Sequence, residues 1–95
     1  MSRKGYFYIL ASKKYGTLYC GVTNDVERRT WEHKKGLASE FTKRYGVTKL
    51  MYVEEYDLVA NAIQRETSVK KWKRDWKIAL IESRNPEWRD LLEEL

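Results

Sequence analysis

Two phenols, a guanidinium and an imidazole fall within the first third of this 95-residue chain: Tyr8, Tyr19, Arg29 and His33. A phenol titrates at about 10 and is a poor base at neutral pH unless a cation or a metal lowers it. Arg29 is such a cation, and the downstream Glu66 is a carboxylate able to hold such a metal. Arg29 and His33 stand four positions apart and so share a helix face. Val26, three positions before Arg29, turns that face partly inward. The same pair also fits a solvated arginine beside a histidine that caps a helix C-terminus.

These groups must be positioned by regular elements. Residues 5–11 (Gly-Tyr-Phe-Tyr-Ile-Leu-Ala) are aromatic and aliphatic enough for a largely buried strand. Residues 12–16 make a polar loop ending in Gly16, and residues 17–22 return as a second strand. The hairpin brings Tyr8 near Tyr19, and alternation puts Cys20 on the opposite face. Gly21 marks a place where backbone or ligand approaches closely. Asn24 reads as an N-cap with Glu27 at the third helical position, opening a helix from about Asp25 to Lys35 that Gly36 ends. Residues 39–45 read as a short helix ended by Gly46, and residues 48–56 alternate as a third strand. Asp57 is read as the cap of a helix over 58–73, with a break at residues 73–75 and a further helix over 76–83. Asn85-Pro86-Glu87 signals a last helix, over about 86–94. The order predicts a single α/β (α+β) domain over residues 1–95: a small three-stranded antiparallel sheet flanked by helices, with its core at about 5–82.

Within the 58–73 helix, Val59, Ala62, Ile63, Glu66 and Val69 lie along one side, so Glu66 emerges from an apolar stripe. A carboxylate there requires compensation. A metal ion or an arginine such as Arg29 supplies it, and an edge-of-core glutamate is the plainer alternative.

Composition narrows the class. Charged residues make up 35% and hydrophobic residues 42% of the chain, as in a folded domain rather than a disordered one. The net charge of +5 favours a polyanionic partner, and four Trp and seven Tyr include more aromatics than a small core consumes. Lys34 and Lys35, and Lys70 to Arg74, are candidate phosphate contacts. One cysteine and one histidine exclude a disulfide, a cysteine-based zinc site and a multi-histidine metal centre. No apolar run approaches a membrane span. Met1-Ser2-Arg3-Lys4 leads straight to a strand with no signal-peptide core, so a cytoplasmic setting is expected.

Tyr6-Phe7-Tyr8, then Tyr19-Cys20-Gly21, then Arg29 and His33, with Glu66 on a downstream helix, resemble the GIY-YIG nuclease domain, and in particular its small stand-alone bacterial members. The resemblance runs from Tyr6 to about Ile81. It implies a divalent-metal-dependent endonuclease hydrolysing phosphodiester bonds in DNA, in a repair- or structure-related role. The family's two motif tyrosines fall on Tyr8 and Tyr19, its close-approach glycine on Gly21, and its phosphate-contacting arginine on Arg29. His33 matches a position held by His or Tyr, and Glu66 the ligand of one Mg²⁺ or Mn²⁺ ion. Arg29 is then expected to stabilise the transition state, and one of the tyrosines, helped by His33, to orient or deprotonate the attacking water. Lys34, Lys35, Lys70, Lys73 and Gly21 are the expected substrate contacts. The first motif lacks its glycine, Cys20 replaces the middle residue of the second, and Val22 stands where some members carry lysine. Repair and homing relatives attach separate DNA-binding domains. Their absence from these 95 residues points to a protein partner that supplies DNA specificity, and to a monomer or weak dimer. The alternative is a non-catalytic nucleic-acid-binding or interaction module with the same fold.

Overall fold

The central element is β1 (Gly5–Ala11), which pairs on both sides. In the computed structural model, which describes residues 4–94, it lies between β2 (Leu18–Thr23) and β3 (Lys49–Tyr56) in an antiparallel sheet of order β2-β1-β3. The N-terminal Met1-Ser2-Arg3, expected to lead directly into the first strand, and Leu95 lie outside the described residues. The register sets Tyr8 opposite Gly21 and Leu10 opposite Tyr19. Against β3, Ile9 faces Tyr52 and Leu10 faces Leu50, so Met51 is an extra residue that makes a bulge.

Because side chains alternate across a sheet, β1 builds two cores. Phe7, Ile9 and Ala11 join Cys20, Met51, Tyr52, Val69, Ile81 and Trp88 on one face. Tyr8 and Leu10 join Val26, Val47 and Leu50 on the other, flanked by Tyr6 and Tyr19. The second face lies under α1 (Val26–Lys34) and α2 (Glu40–Tyr45), and the first under α3 (Val59–Lys70) and α4 (Arg74–Arg84). The three-stranded α+β architecture is the expected one, with Cys20 and Tyr19 on opposite faces.

Several element ends depart from expectation. Asp25, not Asn24, caps α1, accepting from the Arg28 amide at 3.0 Å. The Thr23 hydroxyl bonds both the Asp25 amide (3.0 Å) and its carbonyl (3.2 Å), which sets the start one residue later. Gly36 ends α1 as expected, at φ +73°, with its amide on the His33 carbonyl and the Leu37 amide on that of Glu32. Asp57 does not cap α3; Leu58 occupies that place without a side-chain bond. The break after α3 comes earlier than expected, at residues 71–73, where Trp72 turns onto the core and stacks under the Arg65 guanidinium at 5.1 Å.

The expected helix over 86–94 is replaced by an irregular tail with one 3-10 turn at Leu91–Glu94. The buried Asn85 amide does not open a helix. It donates to the Met51 carbonyl (3.1 Å) and the Arg89 carbonyl (2.9 Å) and accepts from the Arg89 amide (3.0 Å). Trp88, at φ +55°, turns into the core and donates from Nε1 to Glu82 at 2.8 Å.

Candidate active site

Tyr8, Tyr19 and His33 come together on the sheet face under α1. The Tyr8 and Tyr19 ring centroids are 6.5 Å apart, Tyr8 and His33 6.0 Å, and Tyr19 and His33 5.3 Å. Tyr8 Oη and His33 Nε2 are hydrogen-bonded at 3.1 Å, and both side chains are 1% exposed. On the far side of the ring, His33 Nδ1 meets Thr42 Oγ1 at 3.0 Å. The Arg29 guanidinium, half-buried one turn before His33, brings its positive charge to bear on the Tyr8 phenol and is paired with Glu32 at 3.3 Å.

Gly21 makes room for this arrangement. The Tyr8 ring lies across it, so that a Cβ at position 21 would sit 2.4 Å from Tyr8 Oη and 2.5 Å from Cζ. Gly21 is therefore required for space beneath the phenol rather than for an unusual backbone conformation.

Burial dominates the electrostatics. It pushes the Tyr8 phenol up to about 12, against the opposing pull of Arg29. It pulls the His33 imidazole down to about 4, assisted by the positive charge of Arg29. At neutral pH Tyr8 therefore carries its proton and His33 is an uncharged ring.

Glu66 approaches from α3. It stands on the helix that packs against β1 and β2, and its charge bears on both Tyr8 and Cys20. The apolar stripe is narrower than expected: Ala62 and Val69 are buried, Glu66 is half-buried, and Ile63 is exposed beside Val22, Thr23 and Asn24. Glu66 thus stands at the border of the core. Arg29 does not compensate it, being taken by Glu32. Its ion-pair partner is Lys70, at a loose 3.7 Å. No group of three or more His, Cys, Asp or Glu able to hold a metal occurs among the described residues. A lone carboxylate with open lone pairs does suit a hard divalent ion that takes its other ligands from water and phosphate oxygens.

The candidate lysines separate into two sets. Lys34 is bound to Asp90 at 2.8 Å, and Asp90 also accepts the Leu50 and Leu92 amides, so Lys34 fastens the tail to the sheet. Lys70 and Lys73 are exposed near Glu66 in sequence and Lys35 lies over the Trp31 ring at 5.8 Å. Three residues beside the site went unmarked in the sequence. Thr42 is a buried hydroxyl whose capping signal, Ser39 three positions earlier, was legible while its partner His33 was not. Phe41 and Tyr45, four apart on α2, are 43% and 51% exposed. They continue the aromatic run outward from Tyr19, with centroid separations of 6.2 and 5.0 Å, and the Arg44 guanidinium lies over Tyr45. Their helical spacing was the available signal.

Among the described residues no helix is long and apolar enough to cross a membrane. Residues 4–79 match the family described as the GIY-YIG catalytic domain. A UPF0213 protein of Staphylococcus saprophyticus is 36% identical over 78 residues, covering 82% of this chain and 94% of its own. One of Clostridium perfringens is 38% identical over 80 residues, covering 84% and 85%. The solution NMR structure of a UPF0213 protein from Bacillus halodurans superposes with a TM-score of 0.57 at 29% identity, covering 92% of each chain. With a family match over residues 4–79, and with Tyr8, Tyr19 and His33 packed together beside Arg29, this chain belongs to the GIY-YIG catalytic domain family of the nuclease superfamily.

Proposed function

We propose that the protein is a divalent-metal-dependent endonuclease that hydrolyses phosphodiester bonds in DNA. The observation that carries this reading is the buried Tyr8–His33 hydrogen bond, with the charges of Arg29 and Glu66 both bearing on the phenol. A phenol and an imidazole in contact, each in its neutral form, can move a proton between them. The water attacking phosphorus loses its proton to Tyr8 Oη as the Tyr8 proton passes to His33, which becomes imidazolium. Arg29, always charged and held in place by Glu32, meets the negative charge that builds on the phosphoryl oxygens. Glu66 would hold a Mg²⁺ or Mn²⁺ ion, which when bound neutralises charge on the phosphate and the leaving 3′ oxygen. The exposed Lys35, Lys70 and Lys73 supply sequence-independent attraction for the backbone, and Phe41 and Tyr45 offer ring faces to neighbouring bases.

The test is cleavage of labelled duplex, nicked, forked and single-stranded DNA, and of RNA, with Mg²⁺, Mn²⁺ or EDTA. Glu66→Ala and Arg29→Ala are assayed beside the wild type. Metal-dependent cutting lost in both folded variants, with DNA binding retained by Glu66→Ala, is the expected result. Cutting that survives Glu66→Ala, or binding without cutting on every substrate, overturns it; the second outcome favours a binding module.

A further inference from the structure

We propose that Thr42 is a positioning residue for the Tyr8–His33 pair: its hydroxyl, anchored on the Ser39 carbonyl, keeps the His33 proton on Nδ1 and leaves Nε2 bare to receive the proton of Tyr8. The catalytic consequence rests on the nuclease reading, whereas the assignment of the proton does not.

The argument is an accounting of protons in a buried place. The Thr42 side chain is fully buried, and its Oγ1 lies 3.0 Å from His33 Nδ1 and 3.2 Å from the Ser39 carbonyl. A carbonyl only accepts, so the Thr42 proton points to Ser39, and Oγ1 is left to accept from Nδ1–H. A neutral imidazole has one N–H, so Nε2 is the acceptor for Tyr8 O–H at 3.1 Å. The positive charge of Arg29 bears on the Tyr8 oxygen. The chain Tyr8, His33, Thr42, Ser39 then runs in one direction, and each proton has an acceptor. Reversed, His33 donates to Tyr8 Oη, the Tyr8 proton needs another acceptor, and the Ser39 carbonyl keeps only the Lys43 amide at 3.1 Å. The first arrangement keeps the 3.2 Å Thr42–Ser39 hydrogen bond that the reversed one gives up.

The anchor is built for the purpose. Ser39 caps α2, its Oγ accepting from the Thr42 amide at 3.3 Å, so Thr42 is tied to Ser39 through backbone and side chain alike. The groups facing the imidazole are Arg29 and Glu32 from α1, Tyr8 from β1, Tyr19 from β2 and Thr42 from α2. Of these, Thr42 is the one bonded to Nδ1. When Nε2 takes the Tyr8 proton and Tyr8 takes that of the water, the imidazolium keeps Nδ1–H on Thr42, and no other donor or acceptor is needed.

His33 is the single histidine, so ¹⁵N NMR of the imidazole reports this ring alone. The wild type at pH 7 is expected to show a protonated Nδ1 and a bare Nε2. Thr42→Val keeps the shape and removes the acceptor. It is expected to move the proton to Nε2, to lower cleavage by about 10²-fold and to shift the pH–rate profile upward. Thr42→Ser is expected to restore the spectrum, the rate and the profile together. A wild-type spectrum with Nε2 protonated overturns the proposal without any variant having to fold. A Thr42→Val protein that keeps Nδ1–H and the wild-type rate overturns it as well. An Nδ1–H spectrum in a folded wild type that cleaves no substrate overturns the nuclease reading and with it the catalytic role of Thr42.

Discussion

Replacing Gly21 by alanine adds one methyl group directly beneath the Tyr8 phenol. The added carbon would stand 2.4 Å from Oη, 2.5 Å from Cζ and 3.0 Å from Cε2. Ordinary carbon contacts begin at about 3.5 Å, so the ring must retreat by roughly 1 Å. It has little freedom to do so, being packed with Leu10, Val26 and Leu50 and bonded to His33 at 3.1 Å. Overpacking of this kind costs about 1–3 kcal/mol. Breaking the Tyr8–His33 bond leaves a buried ring nitrogen unpaired, for a further ~1 kcal/mol or more. Gly21→Ala should therefore lose about 2–4 kcal/mol in urea unfolding, which a small domain of typical stability, about 5–15 kcal/mol, survives folded. Because the cost lies in space around one ring, it should shrink in a Tyr8→Leu background, which lacks both Cζ and Oη. A double-mutant cycle measures that coupling, expected at ~1–3 kcal/mol. The phenol displaced by about 1 Å should also reduce cleavage about 10²-fold. An equal cost of Gly21→Ala in both backgrounds would refute the reasoning, because the methyl group would then be meeting something other than Tyr8.

Two further outcomes follow from the same geometry. His33 titrates at about 4 in the folded chain against roughly 6.5 when unfolded, so the unfolded state binds more protons between these values. Its contribution is fully present above pH ~6.5 and is lost as pH falls toward 4, by the order of 2–3 kcal/mol. Urea unfolding across that range and the NMR titration of the single imidazole check it, and a midpoint at or above 6.5 would count against a buried neutral ring. The lysines should separate by function. Lys73→Ala is expected to reduce the salt dependence of DNA affinity by about one phosphate contact without affecting stability. Lys34→Ala should leave that slope unchanged and lower stability by up to ~1 kcal/mol through loss of Asp90. If Lys34→Ala instead flattens the slope with normal unfolding, Lys34 belongs to the substrate side.

Which features were legible in the sequence follows from how far each depends on distant residues. Strand alternation is local, so the division of Tyr8 and Tyr19 from Phe7 and Cys20 could be read before the fold was known. The Gly36 stop was legible for the same reason, since a left-handed residue ends a helix whatever lies beyond it. Asn85-Pro86 is an equally strong local signal, yet it misleads. The Asn85 amide is claimed by the Met51 carbonyl, 34 residues away in sequence, at the residue where β3 bulges. Lys34 likewise has a distant partner that its own helix does not announce, Asp90 of the tail.

The candidate site divides along the same line. Residue types and spacing were enough to nominate Tyr8, Arg29, His33 and Glu66, because helix and strand periods set their faces. Those periods carry no information about which nitrogen of His33 holds the proton. That depends on Thr42, which reaches the ring because Gly36 reverses the chain and Ser39 restarts it as α2. Local patterning thus brings the reactive groups together, while the direction of proton flow among them is set by contacts between elements. Substitutions at Thr42 and Gly21 perturb that direction and spacing without removing Tyr8, Arg29, His33 or Glu66. A loss of cleavage in both folded variants would therefore reflect the arrangement of these groups, with the inventory itself unchanged.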